Sequence, residues 1–195
     1  GEKIVTLDGV ERTLAPTDIV IADSEGPMCI AGVFGGAESG VTDSTVNVFL
    51  ESAYFDPGSI RRTSKKHTLQ TDASFRFERG ADPMVCEYAL KRAALLICEV
   101  AGGRIVGKMQ ESCPEKIERK TIELDYGRID RFVGQKIGND VIVKILGALN
   151  YQFLEKRENG ALVAAPSYMI DVTRECDVVE EILRIYGYNN IALPK

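Results

Sequence analysis

The sequence predicts an α+β protein, with a mixed α/β portion followed by a small α+β domain. Short β-branched runs separated by Asp, Gly and Pro open the chain, which is typical of short strands and turns. Two Asp-Pro pairs, Asp56-Pro57 and Asp82-Pro83, then indicate helix starts. A charged segment, PEKIERK at positions 114–120, follows. We therefore expect two domains, residues 1–116 and 117–195.

Length and composition are those of an ordinary soluble globular protein. The chain has 195 residues, of which 45% are hydrophobic and 27% charged, enough for one good core or two small ones. No apolar run approaches the roughly 20 residues that span a bilayer, and no signal-peptide pattern opens the chain. We therefore expect a cytoplasmic protein, or a fragment of one, without a membrane partner.

The cysteines do not form a metal-binding pattern. Their number is odd, their spacing is wide, no Cys-x-x-Cys occurs, and the chain has a single histidine, His67. We expect no metal site and interpret the cysteines as buried free thiols in a reducing compartment. They are Cys29, Cys86, Cys98, Cys113 and Cys176.

The charge balance excludes a domain-wide basic surface for nucleic acid, because the net charge is −5 and the sequence pI is about 5.1. Any RNA contact must therefore be local. Arg61, Arg62, Lys65 and Lys66 form the one dense basic cluster. A local tRNA contact and a solvated helix face explain this cluster about equally well.

Short strands and turns are predicted for the first part of the chain. Lys3–Leu7 and Glu11–Leu14 flank an Asp-Gly turn, which predicts a hairpin. Asp18–Ala22 is short and β-branched, which predicts a buried strand. Met28–Phe34 predicts another strand, running directly into two glycines.

The glycines at 32, 35, 36 and 40 match neither the dinucleotide fingerprint nor the phosphate-binding loop pattern. Glycine allows positive φ and also allows a ligand to approach the backbone closely. Local sequence favours a tight turn with a bulge, and a ligand-binding wall is the alternative.

Thr45–Ser52 alternates as a strand does, with Val46 and Val48 on one face and Phe49 and Glu51 on the other. Glu51 would then end an apolar strand in a partly hydrated position. A carboxylate there requires a hydrogen-bond donor from a ligand or from the protein. A salt bridge to a nearby arginine is the alternative to a ligand.

Two helices are predicted next. Asp56 and Pro57 start a helix over about 57–66, which carries the basic cluster. Asp82 and Pro83 start a second helix, which runs to about Val100 and stops at Gly102-Gly103. We expect this second helix to be part of the core, with a buried side formed by Val85, Tyr88, Ala89, Leu95 and Leu96.

The C-terminal domain is predicted to be winged-helix-like, because two helices, a hairpin and a further helix follow one strand. The strand is 122–124, the helices are 126–133, capped by Asp125, and 141–149, and the hairpin strands are 152–156 and 161–165 around Glu158-Asn159-Gly160. Residues 166–172 are expected to be extended. Thr173 is expected to cap a last amphipathic helix, which Gly187 ends.

Long motifs occur in both domains. They are IAGVFGG, SGVTD, FLESAYFDP, IRRTS and TDASFRFERGADP in the first, and APSYMIDVTRECDVVEEILRIYGYNNI in the second. With these motifs the chain resembles the beta subunit of bacterial phenylalanyl-tRNA synthetases over nearly its whole length. The resemblance implies that residues 1–116 are the later part of the tRNA-editing domain, formed by the third and fourth modules. Residues 117–195 would be the fifth module, which is similar to nucleic-acid-binding winged-helix folds.

This resemblance implies hydrolysis of tyrosyl-tRNA(Phe), in support of phenylalanine attachment. Glu51 matches the glutamate that recognises the tyrosine hydroxyl, and Thr71 the threonine implicated in hydrolysis. The substrate pocket would be lined by Ala31, Gly35, Gly36 and Ala73. Tyrosine differs from phenylalanine by one hydroxyl, so a site that hydrogen-bonds this group can discriminate strongly. Hydrolysis would need a placed water and oxyanion donors rather than a metal.

The resemblance also implies partners: tRNA(Phe) and the alpha subunit, in a heterotetramer of two alpha and two beta chains. ATP and magnesium would serve the whole enzyme on the alpha subunit, and this chain would need no cofactor. In the family, an earlier segment supplies a histidine and an arginine to the editing site, and His67 is not that histidine. We therefore expect weak or absent catalysis by this chain alone. A non-catalytic scaffold that binds RNA or a subunit is the alternative.

Overall fold

The computed structural model describes residues 1–114 and 116–192, which form two compact units divided between residues 110 and 111. Helices and antiparallel sheets occur in both units, so the α+β prediction is confirmed. Our predicted boundary lies between residues 116 and 117, and Glu115, in the charged segment beside it, lies outside the described residues. Across the part of the chain that is described, no helix is both long and apolar enough to cross a membrane.

Five short strands open the first unit. They are β1 (Lys3–Val5), β2 (Glu11–Thr13), β3 (Val20–Ala22), β4 (Pro27–Ile30) and β5 (Phe34–Gly35). Strands β1 and β2 pair antiparallel, which confirms the predicted hairpin. Strands β3, β4 and β5 form a second antiparallel sheet, with β4 in the middle.

The predicted strand from Met28 to Phe34 is two strands joined by a tight turn. The Val33 amide donates to the Ile30 carbonyl at 3.0 Å, and Gly32 has φ +65°. This left-handed conformation suits glycine and reverses the chain, so that Phe34 pairs back onto Ile30. The strand predicted from Asp18 is also shorter, since it begins only at Val20, and the prediction that it is buried is wrong, because Ile19 and Ala22 are exposed.

Three helices complete the first unit: α1 (Pro57–His67), α2 (Asp72–Phe77) and α3 (Cys86–Ala101). The Asp56 carboxylate accepts from the Ser59 amide at 2.7 Å, so the predicted cap of α1 is confirmed. The core of the unit is small. It consists of Ile4, Leu14, Ile30, Val33, Ile60 and Leu69.

The prediction of a strand over Thr45–Ser52 is wrong, because this segment has no regular secondary structure. An alternating pattern becomes a strand only when a neighbouring strand satisfies its backbone N–H and C=O groups. No strand among the described residues pairs with it. Its apolar side chains consequently remain in solvent, with Val46 90% and Phe49 96% exposed.

Helix α3 begins later than predicted and is less buried than predicted. The Asp82 carboxylate accepts from the Met84 amide at 3.0 Å in a turn, so the helix begins only at Cys86. None of its residues is buried, and Tyr88 is 70% exposed. The expectation of a core helix is therefore wrong, since an amphipathic face is buried only where a second element covers it. Gly102, with φ +69°, ends the helix as expected.

The second unit contains one sheet and three helices. Its elements are β6 (Thr121–Asp125), α4 (Tyr126–Val133), α5 (Asn139–Ala148), β7 (Gln152–Arg157), β8 (Gly160–Ala164) and α6 (Glu175–Tyr186), followed by a short 3₁₀ turn (Tyr188–Asn190). The sheet is antiparallel with β8 in the middle. The predicted order of strand, two helices, hairpin and helix is confirmed, as is the Asp125 cap. The strands and the three helices contribute to one core, with Ile129, Ile142, Val163, Val178 and Ile182 at its centre.

Two local predictions for this unit need correction. The segment 166–172 is not extended, because Met169 donates to the Pro166 carbonyl and Val172 to the Met169 carbonyl, which forms consecutive turns. These turns bring Val172 into the core. Thr173 is not the cap of α6 either. The Asp177 carboxylate accepts from the amides of Thr173 and Arg174, and the Thr173 hydroxyl donates to it.

Candidate functional site

The two glycines at the end of β5 are required by close packing between strands. The Gly36 amide donates to the Met28 carbonyl at 3.0 Å, and a Cβ on Gly36 would lie 2.2 Å from that oxygen. A Cβ on Gly35 would lie 3.0 Å from Leu7 Cδ1. The close approach to the glycine backbone that the sequence predicts is thus made by other parts of this chain. Ser39 Oγ donates to the same Met28 carbonyl at 2.8 Å, which fixes the chain beyond the glycines.

Ala31 lies in the turn between β4 and β5 and is buried. Its amide donates to the Ile19 carbonyl at 3.0 Å, which connects the turn to β3. Any pocket wall at Ala31 is therefore part of a rigid, hydrogen-bonded turn.

Thr71 is tied to the same turn by its hydroxyl. Thr71 Oγ1 donates to the Val33 carbonyl at 2.6 Å and accepts from the Ser74 amide at 3.0 Å, as the cap of α2. Since a hydroxyl has one proton, Thr71 can accept one more hydrogen bond but has no second proton to donate. Val33 lies between this turn and β5, so the bond fixes the start of α2 to the end of the turn. Ala73 is exposed, in the first turn of α2.

Glu51 has no hydrogen bond or ion pair within residues 1–114 and 116–192, so the alternative of a salt bridge to an arginine is not observed there. The residue is exposed as a whole, yet burial of its carboxyl raises the pKa above that of an ordinary glutamate. Burial also raises the pKa of the Cys29 thiol, and the Glu51 charge adds to this rise. The charge of Glu51 therefore acts on Cys29, which pairs with Gly35 between β4 and β5.

Among the predicted site residues, the hydroxyl of Thr71 is bonded to Val33, just after the turn that contains Ala31. Gly35 pairs with Cys29, whose thiol interacts electrostatically with Glu51. The Glu51 carboxylate has no hydrogen-bond partner among the described residues, so it can accept a hydrogen bond from a ligand hydroxyl.

Sequence reasoning missed a buried polar cluster around Asp18. The Asp18 carboxylate contacts His67 Nε2 at 2.7 Å, the Thr63 hydroxyl at 2.9 Å and the Ala15 amide at 2.8 Å. Burial alone would raise the pKa of Asp18, but the hydrogen bonds from Ala15, His67 and Thr63 outweigh it and lower the pKa to about 2. No local sequence signal identifies this cluster, because His67 and Asp18 are 49 positions apart. These buried groups position α1 on the sheet.

The predicted basic cluster lies on the solvent side of α1, where Arg61, Arg62, Lys65 and Lys66 are all exposed. Arg62 donates to Ser59 Oγ at 2.9 Å, and Lys66 Nζ lies 3.6 Å from Asp18. Arg61 and Lys65 have no ion pair with any described residue.

No group of acidic, histidine or cysteine side chains that could hold a metal ion occurs in the described ranges. The prediction that the cysteines are buried is wrong: Cys113 is exposed and the others are half-buried. Two of them, Cys86 and Cys98, lie on α3, which is left uncovered. In the second unit, helix α5 has one basic residue, Lys144, which lies four positions after Asp140.

Residues 1–102 match the family model described as the B3/4 domain, and residues 122–188 match the model described as the tRNA synthetase B5 domain. Among curated relatives, the chain is 47% identical over 194 residues to the phenylalanine–tRNA ligase beta subunit of Bacteroides fragilis. It is 47% identical over 195 residues to that of Porphyromonas gingivalis, and 45% over 190 residues to that of Carboxydothermus hydrogenoformans. These matches cover 100%, 99% and 97% of this chain but 24% of each relative. The chain thus spans about a quarter of the length of the curated relatives it matches.

Proposed function

Because the chain belongs to the family of phenylalanine–tRNA ligase beta subunits, we propose that its first unit forms part of a site that hydrolyses tyrosyl-tRNA(Phe). The reaction would remove tyrosine that was attached in place of phenylalanine. Water would attack the ester carbonyl, and the products would be tyrosine and uncharged tRNA. The second unit would be the fifth module of the same beta chain.

The observation that carries this proposal is the Glu51 carboxylate, which has no hydrogen-bond or ion-pair partner among the described residues and interacts electrostatically with the Cys29 thiol. Protein atoms around the carboxyl disfavour its charge, and no donor among the described residues compensates for this. A tyrosine hydroxyl would supply that donor. Phenylalanine would leave the carboxylate without a partner, which costs about 1–3 kcal/mol for a buried group and more if it is charged. Glu51 would therefore select tyrosine.

Thr71 would position the site rather than transfer a proton. Its only hydroxyl proton is donated to Val33, so the remaining lone pair could accept from an attacking water. The Gly36 and Ala37 amides donate to Met28 and Val5, so neither is available as an oxyanion donor. We propose that the oxyanion donors come from other parts of the complete beta subunit.

The complete enzyme is proposed to contain alpha subunits as partners, as two alpha and two beta chains, and to bind tRNA(Phe) in the cytoplasm. Phenylalanine attachment, with its ATP and magnesium, would take place on the alpha subunit. The beta chain would then clear the misacylated product. Because ATP and magnesium would serve the alpha subunit, no cofactor is assigned to the present chain.

The test is the deacylation rate of tyrosyl-tRNA(Phe) by the complete synthetase with Glu51→Ala in its beta subunit. We expect clearance to fall by at least tenfold while phenylalanine attachment is unchanged. Glu99→Ala, which removes an exposed acid from α3 in the same unit, is the matched control and should clear tyrosine normally. Unchanged clearance by Glu51→Ala would reject the proposed role of Glu51.

A non-catalytic scaffold is the second candidate, because the first unit exposes many large apolar side chains. They include Val46, Phe49, Tyr88, Leu95 and Val100. Exposed apolar surface of this kind is typical of contact with other protein. If this role were the only one, Glu51→Ala would leave clearance intact, whereas polar substitutions at Phe49 and Tyr88 would weaken assembly of the synthetase.

A further inference from the structure

We propose that the solvent side of α1, formed by Arg61, Arg62, Lys65 and Lys66 and called here the α1 basic face, binds phosphates of the tRNA backbone. This inference rests on the proposed function, because it assigns the RNA portion of the same substrate to a surface near the site. It concerns affinity and orientation of the RNA, and no bond is made or broken at this face.

The first argument is the arrangement of charge around the helix. Each residue turns an α-helix by about 100°. Ile60, Thr63 and Ser64 are the buried residues and share one side. The four cations occupy the opposite side in two rows, 61 with 65 and 62 with 66. Side chains four apart have Cβ atoms about 5–6 Å from each other, so each row presents two neighbouring positive charges.

The second argument is that half of this charge is not neutralised. The sequence contains no acid between Asp56 and Asp72. Asp56 caps the helix and Asp18 is occupied by His67, with Lys66 alongside. Arg61 and Lys65 have no carboxylate partner within the described ranges. Some cations elsewhere in this acidic chain do have a carboxylate partner, such as Lys3 with Glu11 and Lys91 with Glu87.

A purely helical explanation covers only part of the face. Cations in the last turn stabilise a helix through its dipole, which accounts for Lys65 and Lys66. Arg61 lies in the second turn, where this effect has faded. The helix dipole therefore does not explain why an arginine without a carboxylate partner lies at position 61.

The third argument is the position of α1 relative to the candidate site. Ile60 Cδ1 would lie 3.0 Å from a Cβ on Gly32, so the buried side of α1 packs on the turn between Ala31 and Val33. The α1 basic face is on the far side of the helix, about 10 Å away. The face is thus suited to phosphates of the tRNA backbone, and not to the aminoacyl group.

The chemistry of the face favours RNA over protein. Its exposed positions are Gly58 and the four cations, with no large apolar side chain. Protein interfaces have apolar or aromatic centres from which lysine is depleted. Phosphate contacts require only arginine and lysine, and they make binding depend on salt.

The test uses the complete synthetase with Arg61→Gln and Lys65→Gln combined in the beta subunit, and uncharged tRNA(Phe) as the probe. The dissociation constant is measured over a series of KCl concentrations. Losing two phosphate contacts should reduce the slope of log affinity against log salt by about 1.4–1.8. Lys3→Gln with Lys91→Gln is the matched control, because it removes the same charge from paired positions and should leave the slope unchanged. Arg61→Lys with Lys65→Arg should retain the slope.

The outcomes separate this inference from the proposed editing function. The inference predicts weaker tRNA binding with an unchanged kcat for tyrosine clearance at saturating tRNA. An unchanged slope overturns it, as does weaker association with the alpha subunit at unaltered tRNA affinity, which would indicate an acidic protein partner. Glu51→Ala should lose clearance and keep the salt slope. Glu51→Ala could clear tyrosine normally while Arg61→Gln with Lys65→Gln reduces the salt slope. That result would reject the editing role of Glu51 and support RNA binding by α1.

Discussion

His67 Nε2 lies 2.7 Å from the Asp18 carboxylate, and this pair holds α1 against the chain that leads into β3. The two side chains are 6% and 1% exposed, although the residues are 49 positions apart. Thr63 adds a second bond from the same helix, at 2.9 Å. The candidate site depends on this arrangement, because α1 packs on the turn that contains Ala31 and leads into α2.

The Asp18 cluster should make the first unit sensitive to acid. The folded-state pKa of Asp18 is about 2 against an ordinary 3.8, so the cluster stabilises the unit fully above about pH 4. This contribution, about 2 kcal/mol, is lost as the pH falls through about 2. We expect the difference in free energy of unfolding between the native chain and Asp18→Asn to be largest near neutrality and to shrink between pH 4 and pH 2.

Urea titration followed by hydrogen exchange of peptides from α1 measures this difference. Asp23→Asn is a suitable control, because Asp23 is exposed and bonds only amides within its own turn. A stability difference for Asp18→Asn that stays constant from pH 7 to pH 2 would contradict the assigned pKa.

Substitutions at Thr71 can distinguish a role in positioning the site from a direct role in hydrolysis. Thr71→Val removes both hydrogen bonds of the hydroxyl and should destabilise α2 by about 0.5–2 kcal/mol, as expected for loss of a helix cap. Thr71→Ser retains the hydroxyl and should restore stability and tyrosine clearance together. The measurements are hydrogen exchange of α2 peptides and clearance by the complete synthetase. Loss of clearance in Thr71→Val with no change in exchange would show that Thr71 acts chemically and not by positioning.

Gly36 should not tolerate any side chain. A Cβ there would lie 2.2 Å from the Met28 carbonyl oxygen, which is backbone and cannot turn away. We expect Gly36→Ala to destabilise the first unit by about 3 kcal/mol, at the upper end of the usual cost of overpacking. Gly40→Ala is the control, because nothing lies within 4 Å of the position of its Cβ. Equal urea midpoints for the two variants would refute this packing argument.

Local signals predicted several helix caps and ends, whereas helix α2 and the non-local features were missed. Asp56 and Asp125 cap their helices, and Gly102 and Gly187 end theirs, because caps depend on a few neighbouring residues. Burial of α3 and strand formation at 45–52 require partners distant in sequence, which a local pattern cannot supply.

In the candidate site too, local features could be predicted from the sequence and contacts between distant residues could not. Its residues were identified by resemblance, but the position of Gly35 beside Cys29 depends on strand pairing. The cap at Thr71 could have been recognised, since Thr71 and Ser74 have the spacing of a capping box. The Asp18–His67 pair could not, because no periodicity relates residues so far apart.

Tyr151 tests the energetics of the second unit. Its buried hydroxyl has no hydrogen-bond partner in the described part of the chain, and burial raises its pKa to about 12. Removing an unsatisfied polar group relieves its desolvation cost, so Tyr151→Phe should stabilise the unit by about 1 kcal/mol. Tyr168→Phe is the matched control. Its hydroxyl donates to the Leu149 carbonyl at 3.2 Å, so its loss should destabilise by about 0.5–1.5 kcal/mol. Urea unfolding measures both variants, and destabilisation by Tyr151→Phe would mean that the Tyr151 hydroxyl is satisfied in solution.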